Sequence, residues 1–386
     1  MSGDTLPGYL PVQAQQRGDA VALRHKHLGI WYEQRWQQVA RDVQTLAAAL
    51  RARGFKENDQ LYLLSHPRPQ ALLLQLAAQW LGGVAAPIDI DSQASQTVAL
   101  LRQLRPEFVF AAGESEISLL QIAGIKPHLV LFADARGLTA QHEKTWLSYA
   151  DALKEPPEKL PELRANAANI ALAFYQLDVN DEVQRHTLSH AELLGAGEHL
   201  LRQEHITASD EALAARAFAS SGHARYLQAP WLLTGFKLNF PENLATRDND
   251  RRELGPTLVA GSSATYQRLA TLVQERLPVA GSLRRRLVDW GLQPSQNPLR
   301  RWLAEHLVTG PLRDVIGLAR TRFPLLVGER LPNATQQFFR SIGINVRGWE
   351  AQAGWQPLNL NTGKAPAKEN IARIADAALS TASASL

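Results

Sequence analysis

The chain has 386 residues, 45% of them apolar and 20% charged, which suits a globular protein with room for two or three domain-sized cores and excludes a disordered one. Its 41 basic side chains exceed the 37 acidic ones by only 4, and they are interspersed, so the sequence as a whole presents no strong field for a polyanion. With no cysteine, thiol catalysis, cysteine-based zinc sites and disulfides are ruled out.

In chain order, Met1-Ser-Gly-Asp-Thr-Leu-Pro lacks a basic region followed by an apolar run, so no signal peptide is expected. His25-Lys-His27 alternates as an exposed strand does. Trp36 to Arg53 carries Val39, Val43, Leu46, Ala47 and Leu50 at helical spacing and ends at Gly54. Leu61-Tyr-Leu-Leu-Ser reads as a buried strand, Pro69 to Leu81 as a helix stopped by Gly82-Gly83, and Val84 to Ile90 as a strand. A helix over Gln93–Leu104 and strands at Phe108-Val-Phe-Ala-Ala and His128-Leu-Val-Leu-Phe follow. The apolar stretch from Ala71 to Ile90 is broken by Gln75, Gln79, Gly82, Gly83 and Pro87, too polar for a bilayer span, so a cytoplasmic protein without a transmembrane segment is expected.

Residues 153–168 are rich in proline and charge and read as a linker. Beyond them come strands near Ile170–Tyr175, Phe236–Phe240, Thr257–Ala260 and Phe323–Val327, and helices over Ser189–Arg202, Ala264–Arg276 and Asn333–Ser341. Arg284-Arg285-Arg286 lies in an amphipathic stretch from Leu277 to Trp290, where a solvated helix face is the ordinary reading and a surface for anionic lipid or nucleic acid the alternative. Ser380 to Leu386 reads as a frayed tail. This alternation predicts an α/β protein with mostly parallel sheets flanked by helices. Its expected divisions are residues 1–160, 161–355 and a tail at 356–386.

Several segments, in order, resemble the long-chain fatty acyl-CoA synthetases of the adenylate-forming, AMP-binding superfamily. They are Asp4-Thr-Leu-Pro, Leu28-Gly-Ile-Trp-Tyr-Glu-Gln-Arg-Trp, Arg68-Pro with Gln75-Leu-Ala-Ala-Gln, and Gly83-Val-Ala-Ala-Pro-Ile-Asp-Ile-Asp-Ser. Further along come Thr234-Gly-Phe-Lys-Leu-Asn-Phe-Pro-Glu, Pro311 through Arg320, and Pro332 through Gly343. The resemblance implies the family's N-terminal region, built of two α/β subdomains. It also implies that the chain stops about where the family's mobile C-terminal lid domain should begin. That domain supplies the lysine for adenylation, and Lys364, in a short tail, is not assigned that role.

The family's phosphate loop reads YTSGTTGxPKGVMLTH. Glycines admit phosphates to the backbone N–H groups, hydroxyls donate, and a lysine offsets charge. Tyr175 and Thr187-Leu-Ser-His190 fit that motif without a gap, but Gln176 to Gln184 between them has no glycine, serine, threonine or lysine. Of the degenerate positions Gln176, Asp178, Asn180, Asp181, Glu182 and Gln184, three are carboxylates where phosphates would lie. Like charges about 4 Å apart repel by roughly 4 kcal/mol near a surface. The family's YGxTE motif becomes Trp349-Glu-Ala-Gln352-Ala353, with alanine in place of the glutamate that holds magnesium. Its PRxWE becomes Ser263-Ala-Thr-Tyr266-Gln, and its PLxHxxER falls near Arg216–Arg225, with Ser220 or His223 at the histidine. Ser220, His223, Tyr266 and Trp349 are thus the candidate remnants of an acyl pocket, and Trp349 and Trp355 either plug a vacated cavity or line a surviving one.

Gly261-Ser-Ser-Ala does not fit a nucleophile elbow. His186 and His190 are four apart but are not expected to share a helical face, so no metal site is assigned. The sequence therefore predicts no catalytic residue, no cofactor and no metal. Three functions stay open: a pseudoenzyme that pairs with an active synthetase or another enzyme of acyl metabolism, with a homodimer also possible; a fatty- or aromatic-acid binding module without ATP; and a residual ligase with an altered nucleotide site.

Overall fold

A computed structural model describes residues 3–91, 93–138, 145–154, 160–215, 219–350 and 354–358. Its strands are β1 (Val21–His27), β2 (Ile30–Arg35), β3 (Gln60–Leu64), β4 (Val84–Ile88), β5 (Phe108–Ala111), β6 (Leu129–Phe132), β7 (Trp146–Ser148), β8 (Ile170–Leu177), β9 (Val183–Ser189) and β10 (Glu211–Leu213). They continue with β11 (Lys237–Phe240), β12 (Leu258–Gly261), β13 (Phe323–Leu326), β14 (Arg347–Glu350) and β15 (Gly354–Pro357). The helices that matter below are α1 (Tyr9–Arg17), α2 (Trp36–Ala52), α3 (Pro69–Trp80), α4 (Ala94–Leu104), α5 (Glu114–Ala123), α6 (His190–Glu204), α7 (Ser263–Gln274), α8 (Leu283–Leu292), α9 (Pro298–Ala304) and α10 (Asn333–Ser341).

The chain divides into two compact units. The first comprises the described residues up to Arg202 with Ile206–Ser209 and Ala214–Leu244. Its seven-stranded sheet runs β7-β6-β5-β3-β4-β8-β9, parallel except for the β8–β9 hairpin. Such a sheet must be covered on both faces, which explains the unbroken apolar runs of β4, β5 and β6. Leu64, Ile88, Val109 and Val130 pack with Val98 and Leu101 of α4 and with Ile117 and Leu120 of α5. α3 is buried almost throughout, and two of its three glutamines donate inside the unit: the Gln79 amide to the Ala171 carbonyl at 2.9 Å and the Gln75 amide to Gln228 at 2.7 Å.

In the same unit β1 pairs antiparallel with β2 and parallel with β11. Trp36 and Trp231 stack at 4.6 Å, and the Trp231 indole donates to the Ala22 carbonyl at 3.1 Å. The division expected at residue 160 falls inside this unit, because β8 pairs with β4. The described part of the expected linker, from residue 160, is tied down rather than free. The Trp80 indole donates to the Pro161 carbonyl at 2.8 Å, and the Arg164 N–H to the Trp80 carbonyl at 2.9 Å.

The second unit comprises Gln203–His205, Asp210–Leu213 and the described residues from Ala245 on. β10, β12, β13 and β14 run parallel in that order, and β15 closes the edge antiparallel to β14. The core gathers Val259 and Leu326 with Tyr266, Leu269 and Val273 of α7 and Phe339 of α10. Both units are therefore α/β with mostly parallel sheets flanked by helices.

Candidate functional site

The segment read in the sequence as a degenerate phosphate loop is the turn of the β8–β9 hairpin. The strands pair from Ile170 with Ser189 through Gln176 with Gln184 to Leu177 with Val183, leaving residues 178–182 to reverse the chain. Tyr175, Leu177 and Val183 pack against the core of the first unit, and the Tyr175 hydroxyl donates to Gln60 at 2.5 Å. The reversal is closed by the Asp178 N–H donating to the Glu182 carbonyl at 3.0 Å and the Asp181 N–H to the Asp178 carbonyl at 3.1 Å. Asp181 takes the left-handed conformation, φ 58°, which short polar side chains tolerate.

Two further N–H groups of the turn and one side-chain amide converge on one carboxylate. The N–H groups of Asn180 and Glu182 donate to Asp178 Oδ1 at 2.8 and 3.0 Å, and the Gln184 amide donates to Oδ2 at 3.0 Å. These bonds, the backbone ones foremost, hold the Asp178 carboxyl below its ordinary range. The Gln103 amide ties the turn to α4 through the Asp181 carbonyl at 2.9 Å. Two backbone N–H groups of the turn thus serve an anion of the chain's own. Asp181, Glu182, Gln176 and Gln184 are exposed, and Val179 is 99% exposed.

The residues that follow, Ser189 and His190, have structural roles. Ser189 and Glu192 form a reciprocal cap at the start of α6: the Ser189 N–H donates to Glu192 Oε2 at 2.6 Å and the Glu192 N–H to Ser189 Oγ at 3.2 Å. His190 is fully buried and accepts the Leu6 N–H on Nδ1 at 3.2 Å. Burial lowers its pKa to about 4, so the ring is neutral, as an accepting Nδ1 requires. His186 lies in β9, stacked on Phe174, so the two histidines sit on different elements.

The other predicted positions divide between the units. Ser220 and His223 belong to the first, where the Ser220 carbonyl accepts the His223 N–H at 3.0 Å and His223 is buried. Tyr266 belongs to the second, fully buried, with its hydroxyl donating to the Leu325 carbonyl at 3.1 Å. Trp349 pairs across the β14–β15 hairpin with Trp355, ring centres 5.8 Å apart, and the Gln203 amide brackets the Trp355 backbone at 2.9 Å on both sides. Gln352, Ala353 and Lys364 lie outside the described residues.

Two features were not singled out in the sequence. After His223 the helix widens into a π-turn over Ala224–Gln228, a local form often found at functional sites. That turn carries Arg225, which is 6% exposed and whose Nη2 is buried without a hydrogen-bond partner among the described residues. In the second unit a cleft of about 540 Å³ is lined by Gln293, Ser295, Arg300, Arg301, Glu305 and Arg340, among others. It is closed by bringing residues 291–309 against residues 337–343, which periodicity does not show.

Residues 10–175 match the family model described as AMP-binding enzyme. Over that stretch the chain is similar to the AMP-binding enzymes. Solved structures share its fold. The adenylation domain of a carboxylate reductase from Mycobacterium chelonae superposes with TM-score 0.66 at 15% identity, covering 90% of this chain and 57% of that one. The anthranilate CoA ligase AuaEII, solved with anthranoyl-AMP, gives 0.64 at 14% identity, covering 89% and 58%. The N-terminal domain of FACL13 from Mycobacterium tuberculosis gives 0.63 at 14%, covering 90% and 75%. The chain thus spans a little over half the length of the first two. No curated protein matches its sequence. No helix among the described residues is long and apolar enough to cross a membrane.

Proposed function

We propose that this chain is an adenylate-forming scaffold that does not make acyl-adenylate and instead acts as an interaction or regulatory partner in acyl metabolism. One observation carries the reading. The turn at the phosphate-loop position spends its inward N–H groups on the Asp178 carboxylate, and Asp181 and Glu182 add exposed negative charge beside it. An ATP phosphate would have to displace a charge-assisted network and then lie against carboxylates. The family match ends at Tyr175, one residue before this segment begins. ATP–pyrophosphate exchange with a panel of fatty and aromatic acids tests the loss of catalysis, with background rates expected throughout. Exchange with any acid contradicts it. Co-purification from the native cell tests the partnership, with an acyl-metabolism enzyme expected to be enriched.

Arg225 favours a second reading, binding of a carboxylic acid without ATP. Its buried Nη2 has no acceptor among the described residues, an unmet donor that a carboxylate ligand would satisfy. Native mass spectrometry of freshly purified protein is expected to show a retained fatty or aromatic acid that Arg225→Met loses. A ligand-free wild type contradicts this reading and leaves the first intact.

A further inference from the structure

Within the second unit, the span from residue 279 to 307 combines two properties that a water-facing surface rarely combines. Among the described residues twelve large apolar side chains are exposed, and six lie in this span: Val279, Leu283, Leu287, Leu299, Trp302 and Leu307. Leu283 is 81% exposed, Leu299 64% and Trp302 56%. Leu283 and Leu287 are one turn apart on α8, while Leu299 and Trp302 are three residues apart on α9, so each helix carries an apolar stripe toward solvent. The two helices are joined where the Arg300 guanidinium lies 5.3 Å over the Trp290 ring and donates to the Trp290 carbonyl.

The same span holds Arg284, Arg285, Arg286, Arg300 and Arg301 against only two carboxylates, Asp289 and Glu305. Both are already engaged: Arg285 holds Asp289 at 2.8 Å, and Arg313 holds Glu305. Arg284, Arg286 and Arg301 are exposed and pair with no carboxylate among the described residues. Beside them Arg300, Arg301 and Arg340 line the 540 Å³ cleft with Gln293 and Ser295, which supplies donors for a phosphate.

We propose that α8 and α9 form a docking face for an anionic phospholipid surface, lying in the interface rather than crossing it. Headgroup phosphates meet the guanidinium groups, and the acyl boundary takes the leucines and Trp302. A nucleic acid would use the arginines but leave the exposed leucines in water, and an apolar protein groove would leave the arginines without counter-charge. The match of both features selects the lipid surface.

Vesicle flotation of the full chain tests this. At low salt, phosphatidylcholine vesicles with about a third phosphatidylglycerol are expected to capture the protein at least tenfold better than phosphatidylcholine alone, a gap that high salt narrows. The triple variant Arg284→Glu, Arg286→Glu, Arg301→Glu is expected to lose binding by about a hundredfold, from roughly tenfold or less per removed charge. Leu299→Ser with Trp302→Ser is expected to lose binding several-fold while keeping its salt dependence. These positions are exposed, and an unchanged circular dichroism melt confirms that the variants fold. No capture by either vesicle, equal capture by both, or binding that the triple variant retains would overturn the proposal. So would a soluble protein that occupies this face while vesicles do not.

Discussion

The sheet of the first unit and the turn at its hairpin edge answer to different constraints. In the sheet, Leu64, Val109 and Val130 are enclosed by side chains of α4 and α5, so packing dictates residue type whatever the protein binds. In the turn, Val179 is 99% exposed and the fold asks only for a chain reversal. Glycines and hydroxyls with a phosphate as acceptor would meet that demand, and so does an aspartate that accepts the N–H groups itself. The core therefore answers to packing, while the turn answers to whatever accepts its N–H groups, and the function proposed above rests on that second demand. His190 stands between them: it belongs to the motif by position but to the fold by its bond to Leu6.

Core truncation probes the first half of this contrast and has the largest expected effect. Leu64→Ala removes a fully buried side chain and is expected to cost about 3 kcal/mol by urea denaturation. A cost near that of a surface substitution would mean that the sheet is not the rigid part of the molecule.

His190 gives an effect of similar size that depends on pH. Its pKa is about 4 folded and near 6.5 unfolded, so between those values the unfolded chain binds a proton that the folded chain refuses. Stability is expected to fall as pH is lowered through that window, by about 3 kcal/mol in all. His190→Gln keeps an acceptor for Leu6 and removes the titration, so its melting temperature should vary less with pH than that of the wild type. An identical pH profile in the variant would assign the acid sensitivity elsewhere.

The turn gives the smallest and most local effect. Asp178→Ala removes the acceptor for Asn180 and Glu182, and amide exchange at those two residues is expected to quicken by about tenfold with the core unaffected. Protection that survives the substitution would mean that the carboxylate does not close the turn.

Much of the fold was legible because helices with an apolar stripe announce themselves. The expected helix at Asn333–Ser341 has the bounds of α10, and that at Trp36–Arg53 differs from α2 by one residue. Strands half-open to water were harder. β9 reads Val-Gln-Arg-His-Thr-Leu-Ser and is a strand because β8 supplies its backbone partners, which no local pattern shows. The same holds for β2 and the β14–β15 pair. At the candidate site, the carboxylates of the turn were legible as charges, but Asp178 as internal acceptor was not, since it depends on the turn's dihedral angles. Arg225 was visible only as a letter, because burial is a tertiary property. The exposed leucines of α8 and α9 were hidden for the converse reason: in a sequence they look like core.

The central claim is that the turn at residues 178–182 has no place for a nucleotide phosphate. Titration calorimetry of the wild-type chain with magnesium-ATP tests it most directly. The account predicts no saturable heat up to about millimolar ATP, because the donors are engaged and the surrounding charge is negative. Saturable binding at micromolar ATP, abolished when Asp178 and Gln184 are replaced together, would contradict it.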